Sequence, residues 1–436
     1  MTLLGRWSPK RLPAAAAGVG GGLVVGGVTA YAFLVLSARA VGATGYAPLS
    51  ALWALVLVLG SGAFMPLEQE VARAAAARVV VGEGVGPVVR RALGVGGVLA
   101  GAVGIALLAG APYLADKVFD GQVVFTTALA LAMVGYLGQF VARGVLAGLG
   151  RYFEYGRLLG VEGILRLLGC VALVVAHVGS PAPYGVVVAL APLIALGAVP
   201  ALRGIAREPG PPSPAKEVTT AFAYLLAASL LSQVLVNAGP AAVQWIATPA
   251  EREAAGRFLA ALIVSRLPLF FYGAVQASVL PRLAGFAAES RRADFSRLFQ
   301  RALVAVVAVG VAATAASYLV GATVLGVVFG EEYRVRDIDM AVLAATTTGV
   351  MVAMTVAQGL IAVQRYARVS VGWLAGAVVF AAVLIVDGPA VVRVERSLLA
   401  GSTAASALLA LFAWSSLRRT WSEGGPVVPS AVVLES

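Results

Sequence analysis

Apolar runs of about twenty residues recur from Pro13 to Trp414, separated only by short breaks that carry arginine. A helix of ~20 residues crosses the hydrocarbon core of a bilayer. No water is present there, so every backbone N–H and C=O must be satisfied within the chain, and such a pattern folds as a bundle of membrane helices. The 436 residues would otherwise suggest two or three soluble domains. With 60% hydrophobic and only 12% charged positions, too little polar surface is left to clothe them.

The runs predict twelve spans, at about 13–38, 46–67, 92–115, 122–148, 155–177, 183–202, 218–246, 255–281, 302–328, 339–363, 366–386 and 397–417. The first is longer than the ~7–15-residue apolar region of a cleavable signal, so it is expected to be a membrane helix. Arg203–Glu217, with Pro209, Pro211, Pro212 and Pro214, is not expected to continue a helix. It divides the spans six and six: residues 1–202 form an N-terminal lobe, 203–217 a linker, 218–417 a C-terminal lobe and 418–436 a tail. Two similar halves are a common transporter plan. With the N-terminus inside, 23 of the 32 basic residues fall on the same side as the linker and both termini. The positive-inside rule then predicts a multi-pass protein of the cytoplasmic membrane with both ends in the cytoplasm.

The same asymmetry accounts for most of the net charge of +11, and its scatter over many short loops argues against nucleic acid as a partner. One cysteine, Cys170, excludes an intramolecular disulfide and a Cys-based metal site, and one histidine, His177, excludes a His cluster. A phosphate-binding G-x-x-x-x-G-K-[ST] loop is absent, so no built-in ATPase is expected. Paired carboxylates in a water-facing domain are also missing. Neither an enzyme nor a cofactor is expected. Gly18, Gly22 and Gly26 form a small-residue stripe in the first span, suited to close helix packing.

An ionisable side chain inside a span costs ~2.5–3.5 kcal/mol on insertion scales, which makes each one a functional candidate. Arg266 lies deepest, just before Pro268, and is expected to face the bundle interior or a wet cavity and to bind an anionic group such as phosphate. A structural partner inside the bundle is the alternative. Glu68 and Glu70 close the second span and cannot share a face; Glu70 is placed to pair with Arg73. Glu162 and Arg166 have the i,i+4 spacing of a structural pair. Arg143, near the end of its span, is expected to snorkel. Gln233, Asn237, Gln244, Gln276 and Gln358 add polar groups for bonds between helices or for sugar hydroxyls.

Three stretches resemble the multidrug/oligosaccharidyl-lipid/polysaccharide exporter superfamily, and within it the polysaccharide transporter branch. They are Ala38-Arg39-Ala40-Val41-Gly42-Ala43-Thr44-Gly45-Tyr46 after the first span, Arg266-Leu267-Pro268-Leu269-Phe270 through Leu280-Pro281-Arg282-Leu283 in the eighth, and Val328-Phe329-Gly330-Glu331-Glu332-Tyr333 after the ninth. The resemblance implies an all-α integral membrane fold of about twelve helices in two six-helix lobes around a central cavity. It implies alternating access and a lipid-linked, undecaprenyl pyrophosphate-type oligosaccharide as cargo for surface polysaccharide assembly. In related flippases cationic cavity side chains bind the pyrophosphate, and Arg266 stands in the corresponding span. The candidate substrate-binding set is therefore Arg266, Arg39, Glu68, Gln276 and Asn237. Expected partners are the anionic lipid-linked glycan, membrane lipids and polysaccharide-assembly proteins. The chain departs from the flippase branch in having twelve rather than fourteen spans. It also departs from drug antiporters that use an acid in the first span, since 13–38 has none. A cation-coupled multidrug antiporter of the same fold, and a non-transporting scaffold, are the alternatives.

Overall fold

The computed structural model describes residues 12–212, 220–269 and 289–422, with isolated positions between 272 and 287. Outside them lie Arg6, Lys10, Arg11, the linker end at Lys216 and Glu217, and the residues Gln276, Leu280, Pro281 and Arg282 of the eighth span. The described residues are helical, joined by short turns. In chain order the helices are α1 (Leu12–Val56), a π turn (Leu57–Ser61), α2 (Gly62–Val81), α3 (Gly86–Ala109), α4 (Ala111–Lys117), α5 (Val123–Gly148), α6 (Tyr152–Val175), α7 (Pro181–Ala195), α8 (Ala201–Arg207), α9 (Thr220–Ile246), α10 (Arg252–Ser265), α11 (Arg292–Phe329), α12 (Asp337–Ala362), α13 (Tyr366–Leu384) and α14 (Ala390–Ser422). Among them, ten stretches are long and apolar enough to cross a membrane.

Several boundaries differ from the sequence expectation. The first two spans run on as helix from Leu12 to Val56, broken only at Gly42, where φ is 70° and ψ is 172°. An L side chain rarely adopts such a φ, so a glycine marks the break where no polar loop does. The second span continues to Val81, well past Leu67, and ends on left-handed Gly82. The expected linker starts inside a helix, because α8 runs to Arg207 before Glu208–Pro212 turns irregular. α10 ends at Ser265, just ahead of Pro268, as the ring of proline demands. Gly330, in the third resembling stretch, also has a positive φ of 122°, and the turn buries Tyr333 against Phe329, with ring centroids 5.8 Å apart.

The chain forms two compact units. One takes the chain to Phe222 together with Pro240–Ile246; the other takes Ala223–Gly239 and the chain from Ala247 onward. In the first unit α1 packs along α6, α2 along α5, and α5 along α7. The α1–α6 seam is backbone against backbone: a Cβ on Gly22 would lie 2.4 Å from the Cα of Gly156, and one on Gly163 would lie 2.2 Å from Thr29 Oγ1. In the second unit α11 packs on α12, and α14 packs on both α12 and α13. Gly376 and Gly401 meet across the α13–α14 seam.

Lipid supplies no hydrophobic drive between helices, so this close approach carries the association. Gly22→Leu must push two backbones apart and is expected to cost about 3 kcal/mol or more. Gly21→Ala, which meets nothing within 4 Å, is expected to be neutral. Thermal unfolding of the detergent-solubilised variants checks the contrast; equal midpoints would refute the seam.

Candidate functional site in the N-terminal unit

The polar groups of the first unit are gathered by a glycine seam. Gly144-Val145-Leu146-Ala147-Gly148 is a G-x-x-x-G run on α5. A Cβ on Gly144 would stand 2.6 Å from the Glu68 carbonyl oxygen, and one on Gly148 would stand 2.6 Å from that of Ala72. With α2 and α5 this close, Arg143 reaches Glu68: Nη2 lies 2.7 Å from Oε2, and both side chains are largely buried. Tyr155 of α6 closes a triangle. Its hydroxyl donates to Glu68 Oε1 at 2.9 Å and accepts from Arg143 Nε at 3.2 Å. The guanidinium also lies over the Phe140 ring, 4.3 Å from its centroid, a favourable place for a desolvated cation. Arg143 therefore does not snorkel. It is buried because a carboxylate on a neighbouring helix neutralises it.

A second pair lies on α6. Arg166 Nη1 donates to Glu162 Oε1 at 3.0 Å, and both residues are buried. Arg166 lies over the Trp53 ring at 4.8 Å, and Trp53 is stacked on Phe33. Tyr136 of α5 is within electrostatic reach of both arginines and of Glu162. Its ring packs against Gly60 in the π turn, where a Cβ would come 3.1 Å from Cγ. Such π turns recur at functional sites. Glu70 pairs with Arg73 near the surface, the arrangement its spacing suggests.

The candidate residues named from sequence are dispersed. Arg39 is exposed near the end of the first half of α1. Glu68 is in the triangle with Arg143 and Tyr155. Asn237 is buried on α9 and donates to Gln233 Oε1 on its own helix at 2.6 Å. Gln276 lies outside the described residues. Arg266 caps α10, half-buried, and its Nη2 donates to the Val236 carbonyl on α9. That carbonyl would normally accept from the residue four places on, which is Pro240 and has no N–H. Arg266 thus fills a vacancy that a proline made. The cleft around it, lined by Leu235, Leu262, Leu269, Thr346, Thr347 and Val350, has a volume of only 10 Å³, about the space of one water. Arg143 was read from sequence only as a snorkelling side chain, and Tyr155 and Tyr136 were not singled out. The G-x-x-x-G run directly after Arg143 was the available signal.

No family model matches the chain. An uncharacterized protein of Mycobacterium tuberculosis, found in strains H37Rv and CDC 1551, is 24% identical over 386 residues, which is 87% of this chain and 86% of that one. Among solved structures, the chain is similar to an inward-facing multidrug resistance MATE family transporter of the MOP superfamily, with a TM-score of 0.73 and 12% identity over 92% of this chain and 96% of that one. An outward-facing MATE transporter matches with a TM-score of 0.66 and 13% identity over 94% and 97% of the two chains. A MOP-superfamily transporter of Pyrococcus furiosus, described as having a binding pocket of reversed polarity that suggests a different function, matches with a TM-score of 0.68 and 13% identity over 93% and 95%. The chain therefore has the all-helical fold of the MATE transporters of the MOP superfamily.

The bond from Arg266 to Val236 gives a double-mutant prediction. Arg266→Ala leaves a buried carbonyl unpaired, at a cost of ~1–3 kcal/mol. In a Pro240→Ala background the new alanine supplies the missing N–H, and the same change is expected to cost less than half as much. Chemical or thermal unfolding of the four proteins measures this. Equal costs in both backgrounds would show that the bond to Val236 is not what Arg266 contributes.

Proposed function

We propose that this protein is a secondary transporter of the cytoplasmic membrane. It moves an anionic lipid-linked oligosaccharide outward by alternating access, for surface polysaccharide assembly. The fold supports the transport part of the reading: its relatives include a transporter captured inward-facing and one captured outward-facing. The observation that carries the choice of cargo is the charge balance in the first unit. Glu68 is neutralised by Arg143 and Glu162 by Arg166, so these buried acids are already committed. A cationic drug in this unit would find both of these carboxylates already engaged. A glycan with an anionic carrier requires hydroxyl and guanidinium donors, which Tyr155, Tyr136, Arg143 and Arg166 possess. The basic excess on the side of Arg151, Arg157 and Arg207 supports cytoplasmic termini.

The test is reconstitution in vesicles with two cargoes. A fluorescent polyprenyl-diphosphate oligosaccharide is expected to cross at least about tenfold faster than in protein-free vesicles. A lipophilic cationic dye is expected to show no protein-dependent movement. Dye movement without glycan-lipid movement would replace this reading with the multidrug one. Movement of neither would sink transport of both classes.

A further inference from the structure

The turn between α2 and α3 carries contacts that the paired charges of the first unit do not explain. α2 ends on Gly82, and Arg78, one turn earlier, is only 7% exposed. Its Nη1 carries two hydrogens and donates to two carbonyls, that of Gly84 at 3.2 Å and that of Pro211 at 2.8 Å. The first belongs to the turn, the second to the chain that leaves α8. α3 begins at Gly86 with no side-chain cap from Val85. Glu208, directly after α8, supplies one. Its Oε2 accepts from Val85 N at 3.4 Å, a long bond that places negative charge at the positive end of the helix. The backbones touch as well. A Cβ on Gly84 would stand 1.9 Å from the Pro209 carbonyl oxygen, and one on Gly210 would stand 2.5 Å from that of Gly84. Both segments therefore need glycine where they cross. The exposed residues 208–212 thus lie across a buried guanidinium, in the part of the chain that its prolines mark as the linker.

What holds this segment is narrow. Residues 208–212 are all exposed, so no buried apolar side chain anchors them. Three of the five are prolines, which lack the N–H for helix or sheet pairing. Among the described residues, the two bonds from Arg78 and the long bond to Glu208 tie it to the turn. A segment with few buried apolar contacts opens at a free energy well below that of global unfolding. Released, a proline-rich stretch extends by about 3.1 Å per residue, so five residues add roughly 15 Å of reach. Downstream the chain enters α9, which carries it into the second unit at Ala223. We propose that residues 208–212 are a releasable strap. Docked through Arg78, they shorten the tether that joins the two units. Undocked, they lengthen it, so Arg78 limits how far the units move. The limit rests on the alternating-access reading above, but on no choice of cargo.

The experiment measures spin-label distances in the full-length chain, whose native Cys170 is buried. Labels on Glu83→Cys and Pro212→Cys, both exposed positions, report the strap. Wild type is expected to give a dominant short distance and a minor longer one. In Arg78→Ala the long-to-short ratio is expected to rise roughly ten- to hundredfold, the loss of charged hydrogen bonds read as a population. Arg78→Lys keeps the charge but not the fork, and is expected to fall between the two. Labels on Asp116→Cys and Glu332→Cys, exposed in the first and second units, report the tether. Their distance distribution is expected to broaden in Arg78→Ala. If Arg78→Ala does not fold, Gly84→Val decides, because its side chain occupies the place of the Pro209 carbonyl. An unchanged strap distance in the variant overturns the docking. A released strap with an unchanged Asp116-to-Glu332 distribution overturns its control of the tether. Cargo enters neither measurement, so failed glycan-lipid movement would sink the substrate and leave the strap standing.

Discussion

Hydrocarbon offers no hydrogen bonds, and most of this structure answers that one constraint. Backbone groups are satisfied by making nearly every described segment a helix. Where a helix fails to satisfy its own backbone, another part of the chain intervenes. Pro240 deprives the Val236 carbonyl of its donor, and Arg266 supplies one from α10. Charged side chains face the same demand. Glu68 finds Arg143 and Tyr155, and Glu162 finds Arg166. Breaking a buried pair typically costs ~3–5 kcal/mol, because the remaining charge is left uncompensated. The Glu68–Arg143 pair depends on the glycines that let α5 lie against α2; a Cβ on Gly144 would stand 2.6 Å from the Glu68 carbonyl oxygen.

The spans were legible in the sequence because composition and length fix them directly. So were the i,i+3 and i,i+4 pairs Glu70–Arg73 and Glu162–Arg166, whose geometry is set by one helix. The glycines of two resembling stretches, Gly42 and Gly330, were legible as motif positions, and both have backbone angles that suit glycine. What was hidden depended on neighbours distant in sequence. Arg143 looked able to snorkel, because its partner is on another helix. Arg266 looked like an unpaired cation, because the vacant carbonyl it fills is created by a proline one helix earlier. Glu395 lay just outside the expected last span, 397–417, whereas α14 starts at Ala390 and Glu395 is buried. The break at Gly42 falls between the expected spans 13–38 and 46–67, but helix resumes directly after it, so no loop separates them.

The two units treat charge differently. The first holds its buried acids Glu68 and Glu162 in ion pairs with Arg143 and Arg166. The second buries Glu395 with no donor to its Oε1 among the described residues.

The central claim is that Glu68 and Arg143 are tolerated in the apolar interior because they neutralise each other across α2 and α5. A double-mutant cycle on Glu68 and Arg143 tests it most directly, using Glu68→Gln, Arg143→Met and the combined variant, with unfolding free energy as the readout. The account predicts that each single change destabilises more than the combined one, with a coupling of about 1.5–3 kcal/mol. Strictly additive losses, or single variants as stable as wild type, would contradict it.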